Sequence, residues 1–347
     1  MKFSVIVPVY NAKAYISKFY NSVCRQTFGD YEVILVDDGS TDGSGEILDS
    51  LTAKDERIKV VHQKNSRQLI SRINGIKAAE GEYCVFSDVD DCLANNALEV
   101  LNAKINSYDN PDLVIYSFFY RYENGELKRA NKLYPTEIKV TSENRKELLR
   151  KFISGTLLNN VWTKAVKRSV LTGGDYPDYG EYCDLLCAED RLFSLGILDN
   201  AKSIVYTDEP LYIYNITGGS VTRNYSVSTI ERHNTVKLLD IERDYFTKWE
   251  IDEKEDVERY EAQRFNDMIY VFDKYFNGVK TLKERKAVFS YNWRAFLDGE
   301  LKDRLQENPY ISPTHLKWWR FITDGKFLDM EIFMLKKRII NRLRGKR

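Results

Sequence analysis

The sequence predicts an α/β protein: a mostly parallel, doubly wound sheet followed by a mainly helical C-terminal region. Three observations point there. Apolar runs of strand length alternate with stretches of helical period through roughly the first third of the chain, as in strand–helix–strand units. Gly, Asp, Ser and Asn cluster where the pattern changes. A length of 347 residues exceeds one ordinary core but suits an α/β domain with a helical extension.

The elements follow in order. Phe3–Val9 is a continuous apolar run, as expected of a strand covered on both faces. Residues 14–26 read as a helix with Ile16, Phe19, Tyr20 and Val23 on one face. Residues 31–36 are the second strand, and Asp37-Asp38-Gly39-Ser40-Thr41-Asp42-Gly43 is a turn that also caps a helix reaching residue 53. Ile58–His62 is a short third strand. Residues 69–79 are helical, with Gly81 expected to end that helix as a C-cap. Residues 83–87 form the fourth strand, which closes in Asp88-Val89-Asp90-Asp91. A helix over 95–105 and an aromatic strand over 113–122 complete the alternation. Strand-like and helical pieces then mix as far as Tyr214, and beyond Tyr225 the chain reads as helical, charged and periodic in aromatics such as Phe265, Tyr270, Phe272 and Tyr275. The expected division is an α/β domain over 1–222 and a helical region over 223–347.

Composition narrows the function classes. With 52 basic and 52 acidic residues the chain has no global electrostatic pull toward nucleic acid. The five cysteines, Cys24, Cys84, Cys92, Cys183 and Cys187, are odd in number and show no CxxC pair. The apolar first residues are too short for a leader, so the expectation is a reducing, cytoplasmic compartment. No run reaches the ~18–20 apolar residues of a membrane span. The end of the chain is distinctive: residues 327–335 are largely apolar, and 336–347 carry seven basic and no acidic residues. A cationic amphipathic helix of this kind can lie in the headgroup region of an anionic membrane, so peripheral contact through 327–347 is one expectation. A helix packed on its own domain with a solvated basic tail is the other.

In an open α/β sheet, ligands bind at the carboxyl ends of the strands. Three acidic clusters fall at such places or near them: Asp37-Asp38, Asp88-Val89-Asp90-Asp91 and Glu189-Asp190. Carboxylates that converge in one cleft repel one another unless a cation or donor groups hold them. A divalent ion bound to a diphosphate meets that need, since Mg²⁺ and Mn²⁺ take one or two carboxylates plus phosphate oxygens.

The motif words are more specific than the clusters. Ser4-Val5-Ile6-Val7-Pro8-Val9-Tyr10-Asn11, then Asp37-Asp38-Gly39-Ser40-Thr41-Asp42, then residues 81–91 reading GEYCVFSDVDD, resemble glycosyltransferase family 2 in order and spacing. Trp162-Thr163-Lys164, Glu189-Asp190, Pro210-Leu211-Tyr212 and Gly219-Ser220-Val221-Thr222 resemble its acceptor-side elements. The likeness covers about residues 1–222 and implies a GT-A fold with an inverting mechanism. Under it, Pro8, Val9 and Tyr10 would line the pocket of a nucleotide sugar, expected to be a UDP-sugar. Asp38, with Asp37 beside it, would accept a hydrogen bond from the base. Asp88 and Asp90 look like the DxD pair that holds Mn²⁺ or Mg²⁺ and the diphosphate end of the donor. Asp190 resembles the catalytic base that takes the proton of the acceptor hydroxyl. The acceptor would be a glycan or lipid-linked saccharide in surface polysaccharide synthesis. A single displacement needs no enzyme nucleophile, and only His62, His233 and His315 are present.

Two departures stand out. Where the family shows Asn-x-Gly followed by Ala-Arg-Asn-x-Gly, residues 65–75 keep Asn65, Arg72 and Gly75 in register, but Arg67 replaces a glycine. Arg67 and Arg72 are candidate cationic donors to the diphosphate or base. The family's arginine after the later tyrosine is Asn215 here. Two other readings remain: a sugar-1-phosphate nucleotidyltransferase, which would want a Gly-rich basic loop after the first strand, and a transferase-like scaffold without activity. The helical region has three open roles: assembly of a homo-oligomer, acceptor binding and membrane docking.

Overall fold

The structure is a computed structural model that describes residues 1–182, 188–216, 226–233, 238–297 and 304–343. Cys183 and Cys187, and residues 218–222 of the acceptor-side resemblance, lie outside the described residues. The chain divides into two compact units, one gathering the described residues up to Ile216 and the other those from Ser226 onward.

The first unit is built on a ten-stranded sheet among the described residues. Its elements are β1 (Phe3–Val9), α1 (Lys13–Cys24), β2 (Tyr31–Asp37), α2 (Ser44–Thr52), β3 (Ile58–His62), α3 (Arg67–Ala78), β4 (Tyr83–Phe86), β5 (Cys92–Leu93) and α4 (Ala97–Ser107). They continue with β6 (Leu113–Arg121), β7 (Leu127–Arg129), β8 (Ile138–Val140), α5 (Arg145–Ile153), β9 (Lys164–Lys167), α6 (Arg168–Gly173), α7 (Glu189–Asn200) and β10 (Ile204–Asn215). The main strand order is β3-β2-β1-β4-β9-β6-β10-β5. The first four strands pair in parallel, as the alternating pattern implies. Val and Ile fill β1 and β2 because both sheet faces are covered, and these strands are buried along nearly their whole length.

The sheet is mixed beyond that block. β9 inserts antiparallel between β4 and β6, while β10 runs parallel to β6. Two antiparallel steps restore direction, so the carboxyl ends of β1, β2, β4, β6 and β10 share one edge. That edge gathers the loops after Val9, Asp37, Phe86 and Arg121 and the end of β10 at Asn215.

Two glycines set how closely the layers approach. A Cβ on Gly75 of α3 would stand 2.4 Å from Ile6 Cγ2 on β1. The helix therefore rests on the sheet at a height only glycine permits. Gly81 is a correction to the expected C-cap. The helix ends at Ala78, and a Cβ on Gly81 would lie 2.6 Å from the backbone of both Phe3 and Ser4. Its N–H donates to Ser4 Oγ at 2.8 Å. Glycine is required there by contact with β1, not by helix termination.

The second unit is helical, with helices over Leu239–Lys248, Lys254–Gly278, Leu282–Phe289, Pro313–Thr323 and Phe327–Leu343. The periodic aromatics of the long helix do build a core: Phe265, Phe272, Tyr275 and Phe276 pack with Trp293, Trp318, Met330 and Met334. Tyr270 falls on the opposite face and is 61 % exposed.

Replacing Gly81 with Ala is expected to destabilise the chain by about 1–3 kcal/mol through overpacking. Gly29→Ala, whose added Cβ would meet nothing within 4 Å, should leave stability nearly unchanged. Urea unfolding of the two variants checks both outcomes.

Candidate functional site

The site grows from the shared strand edge. After β1, Val9 is buried and its carbonyl accepts the Asp38 N–H at 2.8 Å, while the Tyr10 ring is 52 % exposed at the mouth of the strand. Asn11 takes φ 47 and its Oδ1 accepts the Thr41 N–H at 2.8 Å, which clips the first loop to the second. Asp37 accepts the Ser40 N–H at 3.0 Å through Oδ1 and faces His62 Nδ1 at 3.0 Å through Oδ2.

Asp38 is buried and ties down the loop before α3. Its Oδ1 accepts from Gln63 Nε2 and the Ser66 N–H, both at 2.7 Å, and its Oδ2 accepts the Arg67 N–H at 2.9 Å. A carboxylate has about four lone-pair sites, so one remains for a ligand donor. Arg67, where the family keeps a glycine, stands at φ 73, in the left-handed region that glycine occupies without strain. The loop keeps the glycine conformation and Asp38 supplies the hydrogen bond that holds it.

Arg72 is the centre of the arrangement. It projects from the same face of α3 as Gly75, is 1 % exposed, and bridges two carboxylates. Nη1 donates to Asp190 Oδ1 at 2.5 Å, and Nη2 donates to Asp88 Oδ1 at 3.1 Å. Gln68, one turn earlier, donates to the same Asp88 oxygen at 2.8 Å. Burial pushes the Asp88 carboxyl up to about 6; Arg72 pulls against that, and the charges of Asp190 and Asp90 add to it. Glu189, at the start of α7 beside Asp190, is pushed up to about 7 by burial and by the Asp190 charge, and its Oε2 has no hydrogen-bond partner.

The 88–91 loop is held from β10. The Tyr212 hydroxyl accepts the Asp88 N–H at 3.0 Å and donates to Asp91 Oδ2 at 2.9 Å. The Asn215 N–H donates to Asp91 Oδ1 at 2.7 Å, and its Nδ2 donates to the Asp90 carbonyl at 2.6 Å. Asp91 is 1 % exposed; burial, with the charges of Asp88 and Asp90, pushes its carboxyl up to about 8. Trp162 stacks on Tyr212 at 4.6 Å and on Tyr214 at 5.6 Å between ring centroids. It is a buried brace, 6 % exposed. Lys164 is fully buried and its Nζ donates to the carbonyls of Leu158 and Asn160 at 2.7 and 2.6 Å; burial holds its amine down to about 7.

Asp88 and Asp190 thus meet through Arg72, and Asp90 lies in the same loop as Asp88. Pro8, Val9, Tyr10, Asp37, Asp38 and Arg67 lie around the neighbouring ends of β1 and β2 and the start of α3, with the Val9 side chain buried in the core and the Asp37 carboxylate held by Ser40 and His62. Sequence reasoning passed over Gln68 and the Tyr212–Asp91 contact. Gln68 lies inside the 65–75 stretch, at a position the family pattern leaves unspecified. The Tyr212–Asp91 pair spans 121 positions, although both residues lie inside quoted motif words.

Two variants test this description. Tyr212→Phe removes the hydroxyl that joins the Asp88 amide to Asp91 and is expected to cost about 1–3 kcal/mol in urea unfolding. At position 67, Gly should be more stable than Ala by about 1 kcal/mol, because only Ala pays for the left-handed backbone. Equal stability of the two would contradict the strained loop.

The comparisons with known proteins agree with this construction. The family model described as Glycosyl transferase family 2 matches residues 4–171. The putative glycosyltransferase EpsH of Bacillus subtilis is 31% identical over 232 residues, covering 66% of this chain and 64% of that protein, just under two thirds of its length. Glycosyltransferase GlyG of Streptococcus pneumoniae is 32% identical over 230 residues, covering 63% of this chain and 72% of that protein. Among solved structures, Staphylococcus aureus TarS residues 1–349 in complex with UDP-GlcNAc superposes with a TM-score of 0.63 at 20% identity, covering 94% of this chain and 91% of that one. At that identity the likeness speaks for the fold, a GT-A type α/β domain with a helical C-terminal region. Motif order, sheet and relatives converge on one assignment: the chain belongs to glycosyltransferase family 2.

Proposed function

We propose that the chain transfers a sugar from a UDP-sugar to a hydroxyl of a glycan or lipid-linked acceptor, with inversion, in surface polysaccharide synthesis. The observation that supports this most is the Arg72 guanidinium shared by Asp88 and Asp190 at the strand edge. It brings a donor-side and an acceptor-side carboxylate into one site. Staphylococcus aureus TarS has been solved in complex with UDP-GlcNAc and with UDP, which favours a uridine nucleotide donor here.

In this reading Asp190 takes the proton of the acceptor hydroxyl as its oxygen bonds to the anomeric carbon and the bond to the diphosphate breaks. Arg72 aims Asp190 through its Nη1 hydrogen bond, since a guanidinium stays charged and its paired donors reach both carboxylates. Asp88 and Asp90 are the residues suited to a divalent cation. The Asp90 carboxylate is desolvated and receives no hydrogen bond from another residue among the described residues. Among the described residues no three or more His, Cys, Asp or Glu side chains are placed to hold one metal ion together, so the protein's share would be one or two carboxylates, as Mg²⁺ and Mn²⁺ accept beside phosphate oxygens. When bound, such an ion supplies Lewis acidity toward the departing diphosphate.

Peripheral membrane contact belongs to the same proposal. No helix of the described residues is long and apolar enough to cross a membrane. On the helix Phe327–Leu343, Met330 and Met334 face the core, while Leu328, Ile332, Leu335 and Ile339 are 73, 53, 55 and 49 % exposed. Their spacing makes one solvent-facing apolar stripe, and the basic sequence of 336–347 follows it. An anionic lipid surface matches both properties.

UDP with Mn²⁺ is expected to raise the melting temperature, and Asp88→Ala to abolish that rise. Asp190→Asn should keep the rise but lower sugar transfer or donor hydrolysis about 10²–10⁴-fold. Undiminished turnover in Asp190→Asn would overturn its assignment as the base. In flotation assays the chain should bind vesicles containing phosphatidylglycerol, and Ile332→Glu/Leu335→Glu should abolish that binding without changing UDP affinity. Equal binding by the double variant would contradict the stripe's role.

A further inference from the structure

A second cationic feature lies at the strand edge and has no part in the Arg72 bridge. β6 and β10 run parallel, with Arg121 and Asn215 paired at their carboxyl ends. Arg121 Nη1 donates to Asn215 Oδ1 at 3.3 Å, and Lys18 Nζ from α1 donates to the same oxygen at 3.1 Å. Asn215 is 6 % exposed, and its Nδ2 is committed to the Asp90 carbonyl. The amide is therefore locked with its oxygen toward the two cations. Among the described residues neither Lys18 nor Arg121 has a carboxylate within 4.0 Å, although Lys18 lies near enough to the Asp90 carboxylate for the two charges to attract. Lys18 is exposed and Arg121 half-buried, so both remain open to a ligand.

Two cations that share one neutral oxygen repel each other, and an anion seated between them turns that repulsion into attraction. Arg121 offers planar paired donors that match phosphate oxygens, and Lys18 adds a mobile point charge. The loop of Asp90 is tied to the same asparagine, which sets the pair beside the carboxylates suited to a donor diphosphate. We propose that Lys18 and Arg121, held side by side by the Asn215 Oδ1, form a subsite for a phosphate group. The phosphate comes either from the donor diphosphate, a source that rests on the UDP-sugar reading above, or from a phosphodiester in the acceptor.

The test is calorimetric titration of the full chain and of Lys18→Ala/Arg121→Gln with four probes: UDP, uridine, inorganic pyrophosphate and a ribitol-phosphate oligomer. With a donor source, UDP and pyrophosphate weaken about tenfold or more in the variant while uridine is unchanged. With an acceptor source, the oligomer weakens by as much and UDP does not. Either result supports the subsite, and Arg121→Lys, which keeps the charge, should recover part of the loss. If the wild-type chain ignores UDP but binds pyrophosphate or the oligomer through Lys18 and Arg121, the subsite stands and the UDP-donor reading falls. The proposal is overturned if a folded double variant binds every phosphate probe within about twofold of wild type, or if the wild type binds none of them. Should the double variant fail to fold, the exposed Lys18→Ala alone is read in the same way.

Discussion

The Arg72 guanidinium, held between Asp88 and Asp190, is the contact that organises the active edge. These carboxylates come from distant parts of the chain and approach each other in a poorly solvated corner, where two like charges would otherwise separate or take up protons. One buried arginine sets a positive charge between them and fixes their spacing. Its reach depends on packing: Gly75, on the same face of α3, lets the helix settle onto Ile6 of β1, and Arg72 is carried in with it. A helix face that would usually be apolar throughout spends one position on a charge, and the site is built around that charge.

A second layer of support comes from the aromatic brace behind the 88–91 loop. Trp162 stacks against Tyr212, and the Tyr212 hydroxyl reaches the Asp88 amide and Asp91. Asp91 is the member of the acidic cluster that the protein uses for itself. Its buried carboxyl is satisfied by Tyr212 and Asn215, while the Asp90 carboxylate stays open to a ligand. One run of three acids in four positions thus divides into a bridged, an open and a structural carboxylate. The division is made by α3, which takes Asp88, and by β10, which takes Asp91, not by the run itself.

Much of the fold was legible because it rests on local rules. Apolar runs bounded by turn residues marked β1 to β4 and β6 to within a residue or two, while the boundary expected between residues 222 and 223 falls outside the described residues. The insertion of β9 was not legible. Lys-Ala-Val-Lys is short and carries two charges, and only pairing with β4 and β6 makes it a strand. Gly81 was misread for a related reason: its role lies in contact with Phe3 and Ser4, which a helix-end pattern cannot reveal. The motif words gathered the site carboxylates through resemblance to the family. The bridge of Arg72, the Tyr212–Asp91 contact and the cations around Asn215 depend on partners more than a hundred positions apart or on separate elements, and no period in the sequence encodes them.

The most direct measurement of the central contact is a double-mutant cycle on Arg72 and Asp190, read by urea unfolding near neutral pH. Arg72→Met leaves Asp88 and Asp190 as uncompensated charges and is predicted to cost about 3–5 kcal/mol. Adding Asp190→Asn removes one of those charges, so the double variant should be more stable than Arg72→Met alone, with a coupling energy of at least about 1 kcal/mol. Additive effects, with coupling within about 0.5 kcal/mol, would contradict the view that this arginine holds the two halves of the site together.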